Sequence, residues 1–335
     1  MKYVEAGGAR VSAVGLGTWQ FGSGEWGYGS TYATETAPQI VRRSLEVGVT
    51  LFDSAEVYGF GRSERILGQA LGDRRPDAFV ATKLLPLLPI DPIVSSRARG
   101  SLRRLGVDAV DLYQVHWHNP LFPQRPTMAA MGALQRSGAV RHVGVSNFSL
   151  AQWREAEEAL GGPVLSNQVK YSLIDRGPER ELVPYAKEHD RMVIAYSPLS
   201  QGLLSGRYGP DKLPGGMRSA TPAFLPDNVR LLAPVLDVLR EVASAHDATC
   251  SQVALAWLIR RPNVVVIPGA SSVEQAEANA AAADLDLTDE EDAALTAASD
   301  AYRPVRGMAA VPALARVRAE RFAGRVRRAF DGMGR

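Results

Sequence analysis

The chain has 335 residues, 46% of them hydrophobic and 22% charged, with a formal net charge of +2. That length allows one large α/β barrel or two average domains with a sizeable core, and the near-balanced charge argues against nucleic acid or a membrane surface as partner. Cys250 is the only cysteine, so no intrachain disulfide forms; no signal-like segment opens the sequence and no apolar run reaches the ~18–20 residues a bilayer requires, so a reduced, cytoplasmic protein is expected.

Lys2–Val11, centred on Gly7-Gly8, reads as a β-hairpin placed to plug the bottom of a barrel. Short β-rich apolar runs then alternate with helix-period stretches. The strand at Val14–Trp19 precedes a helix at Thr36–Val47, and Thr50–Ser54 precedes Ser63–Leu71. Phe79–Lys83 is followed by Ile93–Leu105, Val110–His116 by Thr127–Arg136, and Val140–Ser146 by Leu150–Leu160. Val164–Val169 leads to Glu179–Glu188, Met192–Tyr196 to Val229–His246 with Ser251–Arg260, and Val264–Ile267 to Val273–Ala282. Eight β-then-α units with continuously apolar strands predict a parallel sheet closed into a (β/α)₈ TIM barrel, a single domain spanning 1–335 with its core near 14–298. Outside the repeat lie a Gly/Pro-rich stretch, Ser197–Asn228, and a basic tail from Arg303, in which Ala313–Phe330 has amphipathic helical spacing and Ala301–Val311 is the candidate lid.

Barrel chemistry gathers at the carboxyl ends of the strands. Three successive predicted strands end on Asp53, Lys83 and His116, and the residues two positions back (Leu51, Ala81 and Gln114) continue mostly apolar rows, so the three polar groups top inward-facing positions. Tyr58 stands on the loop after the first of them. A free phenol with a pKa near 10 is a poor acid at neutral pH; a nearby lysine cation favours the phenolate, Asp53 supplies the lysine's counter-charge, and His116 is placed to orient phenol and substrate. The combination suits proton donation to a carbonyl oxygen.

The segments Leu51-Phe52-Asp53-Ser54-Ala55-Glu56-Val57-Tyr58-Gly59, Ala81-Thr82-Lys83, Asp111-Leu112-Tyr113-Gln114-Val115-His116-Trp117 and Gly144-Val145-Ser146-Asn147-Phe148 resemble the aldo-keto reductases, in order and over nearly the whole chain. The resemblance is closest to the bacterial branch that also resembles potassium-channel β subunits. It implies a catalytic tetrad of Tyr58 as general acid with Asp53, Lys83 and His116, and NADP(H) as cofactor, NAD(H) being the alternative. It also implies cofactor contacts from Gly17, Thr18, Trp19 and Asp53, with Ser146, Asn147 and Gln168 on the nicotinamide carboxamide and Tyr196 stacked on the ring. The pyrophosphate falls along Ser197, Pro198, Leu199, Gln201, Gly202 and Leu203, and the adenosine end at Ile267, Gly269, Ser271, Gln275 and Asn279. Related sequences often carry a basic residue where Ser271 stands. Ser272 with Gln275 fits a capping box for the helix that starts there. Trp19, Trp26, Tyr58, Trp117 and His118 outline an apolar pocket for a small carbonyl substrate.

Two other motifs carry less. Gly22-Ser23-Gly24-Glu25-Trp26-Gly27 matches the dinucleotide-binding G-x-G-x-x-G pattern, but Tyr28-Gly29-Ser30-Thr31-Tyr32 separate it from the next helix, whereas the fingerprint needs its glycines to open the helix. His116-Trp117-His118 suggests a metal, yet His142 lies too deep in its strand and His189 and His246 fall in helices, so no metal is expected. The competing reading of the same residues is an NADP(H)-binding regulatory or redox-sensing subunit with little turnover.

Overall fold

Gly7 and Gly8, with φ of 52° and 77°, turn strand β1 (Tyr3–Ala6) back onto β2 (Ala9–Ser12) in the antiparallel hairpin the sequence predicts. A two-residue hairpin loop of type I′ needs left-handed backbone at both positions, which glycine adopts without strain. The computed structural model describes residues 1–22, 29, 31–209, 212–214 and 221–317. They fall into two compact units: Met1–Ser200 with Ser251–Leu287, and Gln201–Cys250 with the chain from Thr288 onward.

The first unit is a parallel (β/α)₈ barrel. Its elements run β3 (Leu16–Gly17), α1 (Trp19–Gly22), α2 (Ala37–Glu46), β4 (Leu51–Asp53), α3 (Arg62–Leu71), β5 (Phe79–Leu84), α4 (Asp91–Leu105) and β6 (Val110–Val115). They continue α5 (Gln124–Arg136), β7 (Val140–Ser146), α6 (Leu150–Leu160), β8 (Ser166–Lys170), α7 (Leu182–Glu188) and β9 (Met192–Tyr196). After the excursion into the second unit come α10 (Cys250–Ile259), β10 (Val264–Val266) and α11 (Val273–Ala281). The strands pair in sequence order from β3 to β10. A parallel bridge from Val14 to Val266, with Gly15 N–H donating to the Val266 carbonyl at 2.7 Å, brings the first strand to the last. A Cβ on Gly17 would lie 2.8 Å from the Ile267 carbonyl oxygen, so glycine is what lets this seam close.

Period-two alternation sends Leu51, Ala81, Leu112, Met192, Ile194 and Val265 into the barrel, where they pack with Ala6, Ala9 and Val11 of the hairpin. Each fully buried aliphatic side chain there contributes on the order of 1.5–3 kcal/mol. The hairpin therefore closes the amino end of the barrel, and the inward rows emerge as Asp53, Lys83 and Gln114 at the other. The first predicted strand is shorter than expected, because Trp19 opens α1 instead of ending β3. No helix among the described residues is long and apolar enough to cross a membrane.

The second unit holds α8 (Pro226–Leu231), α9 (Ala233–Ala245) and α12 (Asp289–Ala301). The single helix predicted at Val229–His246 is broken at Leu232, because Pro234 in the first turn of α9 has no N–H to offer the preceding turn. Helix α12 is absent from the predicted elements, although Thr288 and Glu291 form a full capping box and four acidic residues sit in its first turn. The Asn228 side chain donates to the Val305 carbonyl at 2.9 Å and accepts from its N–H at 2.8 Å, tying down the segment after α12. The helical tail predicted at Ala313–Phe330 is described only to residue 317; the rest of it, like Trp26, lies outside the described residues.

Candidate active site

Asp53 and Lys83 end inward rows on paired strands, and the fold leaves both all but sealed from water, at 2% and 0% exposure. Two buried charges in such a place must satisfy one another. The Lys83 ammonium does so with three partners: Asp53 Oδ2 at 2.6 Å, the Ser54 carbonyl at 2.7 Å and the Tyr58 hydroxyl at 3.2 Å. The other carboxylate oxygen of Asp53 accepts from Gln168 Nε2 at 2.7 Å and Gln114 Nε2 at 3.3 Å. Burial pulls the Lys83 pKa down more than any single partner raises it, but Asp53 and the Tyr58 oxygen together outweigh it and hold the lysine above its ordinary value.

The tyrosine behaves differently from the sequence expectation. Lys83 does pull its pKa down, but burial pushes harder and the net shift is upward. The acidification expected from a neighbouring lysine is thus an offset against desolvation, not a lowering below the free phenol. His116, one residue past β6, sets its ring edge-on to Tyr58 with 6.0 Å between centroids and stacks flat on Trp117 at 3.8 Å. Its Nδ1 is buried without a hydrogen-bond partner among the described residues.

Burial, with the Lys83 cation nearby, takes the His116 pKa from 6.5 down to about 3. The folded value is the lower one, so the unfolded chain takes the proton first. Stability falls as pH drops below 6.5 and goes on falling until the folded value is reached. At about pH 5 the loss from this one group is on the order of 2 kcal/mol. We expect His116→Asn to show a smaller drop in thermal midpoint between neutral and mildly acidic buffer than the parent. Equal drops in both proteins would refute the buried, neutral imidazole.

The loop carrying Tyr58 is braced from beneath. Thr18 Oγ1 donates to the Asp53 carbonyl at 3.0 Å and lies 2.7 Å from Ser63 Oγ, which is itself 3.0 Å from Ser54 Oγ. Glu64, fully buried, accepts from Thr82 at 2.6 Å and from Arg104 at 2.5 Å. Glu56 accepts from the Leu85 N–H at 2.6 Å and pairs with Arg97 at 3.2 Å. From the side, α1 meets the loop backbone to backbone. A Cβ on Gly22 would sit 2.6 Å from the Gly59 nitrogen, and one on Gly59 would sit 2.6 Å from the Gly22 oxygen. Sequence reasoning missed Gln114, Ser63 and Glu64. The parity of Gln114 with Leu112 already placed an amide inside the barrel and was the available signal.

The residues assigned to a nicotinamide by resemblance gather at the ends of β7, β8 and β9. Asn147, left-handed at φ 60°, donates to the His116 carbonyl at 3.2 Å and to Ser146 Oγ at 3.1 Å, and accepts from the Tyr196 hydroxyl at 2.9 Å. Ser146 Oγ donates to the Gln168 carbonyl at 2.9 Å. Thr18 is fully buried in the hydroxyl cluster, and Gly17 serves the barrel seam. The loop at Ser197, Pro198 and Leu199 follows β9, with Ser197 and Ser200 both left-handed at φ 52° and 47°. Gln201, Gly202 and Leu203 belong to the second unit.

After β10, the loop holding Ile267 and Gly269 meets two side chains from the first βα connection: Gln20 packs on Gly269, and the Tyr32 hydroxyl donates to the Ala270 carbonyl at 2.7 Å. Ser272 caps α11, but the reciprocal half of the predicted capping box goes elsewhere. Gln275 Oε1 takes both the N–H of Ser271, at 3.0 Å, and its hydroxyl, at 2.8 Å. Asn279 reaches back to the Gly269 carbonyl at 3.4 Å. Arg43 of α2 is paired with Glu277 and Glu46. Trp117 is 43% exposed, and His118 packs edge-on against Phe148 at 5.6 Å.

An acid–base cluster of this kind, at the carboxyl mouth of a parallel barrel, marks the catalytic end of a (β/α)₈ enzyme. Residues 13–300 match the sequence profile of the aldo/keto reductase family. An uncharacterized oxidoreductase of Mycobacterium tuberculosis is 53% identical over 306 residues, covering 91% of this chain and 95% of that one. A methylglyoxal reductase of Escherichia coli is 34% identical over 307 residues, with 91% and 96% covered. The crystal structure of an aldo/keto reductase from Klebsiella pneumoniae in complex with NADP and acetate superposes with a TM-score of 0.71 at 31% identity, covering 91% of this chain and 97% of that one. The chain belongs to the aldo/keto reductase family, and is an NAD(P)H-dependent oxidoreductase.

Proposed function

We propose that the protein reduces aldehydes and ketones to alcohols with NADP(H), Tyr58 giving the proton to the carbonyl oxygen. The observation that carries this reading is the Lys83 ammonium lying between Asp53 and the Tyr58 hydroxyl, 3.2 Å from the latter. As the phenol gives up its proton, negative charge develops on an oxygen already facing that fixed cation, so the environment needs no rearrangement to receive it. Asp53 keeps Lys83 charged, and His116, neutral and held against Trp117, is placed to donate a hydrogen bond to the substrate oxygen.

The donor set fits a nicotinamide. Ser146, Asn147 and Gln168 present a hydroxyl and two amides for a carboxamide, and Tyr196 offers a ring face. Ser197, Pro198 and Leu199 would hold the pyrophosphate, and Ile267, Gly269, Ser271, Gln275 and Asn279 the adenosine. When bound, the cofactor supplies the hydride. NADPH is favoured by the aldo/keto reductase structures from Klebsiella pneumoniae in complex with NADP and NADPH. Ser271 and Gln275, bonded to one another, offer neutral groups to a 2′-phosphate.

The test is a purified sample given NADPH or NADH and a panel of aldehydes and ketones. Steady consumption of NADPH, with a lower Kd for NADPH than for NADH by fluorescence titration, is expected. Tight cofactor binding without turnover of any carbonyl compound would replace this reading with that of a cofactor-sensing subunit.

A further inference from the structure

Among the described residues of the barrel unit, every large hydrophobic side chain left exposed sits on one of three loops: Phe60 after β4, Leu87, Leu88 and Ile90 after β5, and Trp117 and Leu121 after β6. Strand pairing places those loops side by side at the catalytic mouth. The distribution is not what scattered surface leucines produce, since isolated exposed apolar residues have no reason to share one edge.

Phe60 is the sharpest case. It stands between two left-handed glycines, Gly59 at φ 55° and Gly61 at φ 80°, is itself left-handed at φ 53°, and leaves its ring 94% exposed. A β-carbon is disfavoured there, and an aromatic ring in water gains nothing from folding. Glycine or asparagine would serve the turn better, so neither the turn nor burial accounts for a phenylalanine here. The patch also continues the reacting centre without a break in the chain. Phe60 follows Tyr58 by two residues, Leu87 follows Lys83 by four, and Trp117 adjoins and stacks on His116. Beneath the second and third loops Pro86, Pro89, His118, Phe122 and Phe148 close around Trp117 and leave a gap of only about 10 Å³, so the apolar surface on offer is the exposed rim itself.

We propose that this one-sided apolar rim selects carbonyl substrates bearing an extended apolar tail, which lies across the loops after β4, β5 and β6 while the carbonyl group sits at Tyr58. The inference rests on the reductase reading above and refines its substrate class. Compact, polar carbonyl compounds of the methylglyoxal type leave the rim in water and are the poorer substrates.

The experiment is a homologous series of straight-chain aldehydes, propanal to decanal, assayed at fixed NADPH on the parent and on Phe60→Ser and Leu88→Ser. Both positions are exposed, so both variants should fold. In the parent, kcat/KM is expected to climb with chain length by up to about fourfold per methylene that reaches the rim, chiefly through KM. Each variant should flatten that climb, cutting the decanal-to-propanal ratio by about tenfold. A parent indifferent to chain length while reducing short aldehydes would overturn the proposal and leave the reductase reading standing. So would variants that keep the parental slope, or that change oligomeric state without changing it, which would assign the patch to a second copy of the chain. Failure to reduce any aldehyde would defeat the reductase reading, and this refinement with it.

Discussion

Tyr58→Phe is expected to lower kcat/KM by about three orders of magnitude, the middle of the range for losing a positioned general acid, while changing the NADPH Kd by less than about twofold. The hydroxyl is the only atom removed. The ring keeps its edge contact with His116, and the loop keeps its brace of Thr18, Ser54 and Ser63. The variant should therefore fold and hold cofactor as the parent does. Single-turnover measurement with saturating NADPH isolates the chemical step. A variant retaining a tenth of parental turnover would mean that another group delivers the proton.

The second large effect concerns stability. Lys83→Met removes the cation from beside a carboxylate that is 2% exposed. Breaking a buried pair from one side costs about 3–5 kcal/mol, because the remaining charge keeps its desolvation without its partner. Here Gln168 and Gln114 continue to donate to Asp53 and soften the loss, so the lower end of that range is expected in urea unfolding. The double variant Lys83→Met with Asp53→Asn should regain most of the stability and none of the activity. Asp53 raises the lysine's pKa in the folded state, so the pair's contribution is fully present below the ordinary value of 10.5 and is lost only as pH rises beyond it. A single variant as stable as the parent at neutral pH would show that the carboxylate is neutralised by other means.

The barrel, and the gathering of Asp53, Tyr58, Lys83 and His116 at its carboxyl mouth, were legible in the sequence because both follow from short-range rules. Alternation along a strand fixes which side chains point inward, so Leu51 below Asp53 and Ala81 below Lys83 gave away the orientation of both polar groups. What stayed hidden depends on residues far apart in the chain. Gln168 meets Asp53 across 115 positions, and the Thr18–Ser63 hydroxyl pair spans 45. Strand parity says that an amide points inward but not which carboxylate it finds. The Tyr58 pKa was misjudged for a related reason: a charged neighbour can be named from sequence, whereas the depth of burial opposing it is a property of the whole fold. The break before α9 and the cap of α12 were, by contrast, written locally in Pro234 and in Thr288 with Glu291.

The glycine-on-glycine meeting of α1 with the Tyr58 loop divides the mouth of the barrel into halves that tolerate change unequally. Where Gly22 abuts Gly59, any added atom is passed directly into the backbone that aims the phenol, so that side is closed to remodelling. One step along, Phe60 touches little besides solvent, and its replacement moves no structural neighbour. Redesign for new substrates therefore has an open margin beginning at residue 60, and the fixed pair beside it keeps such changes from disturbing the chemistry.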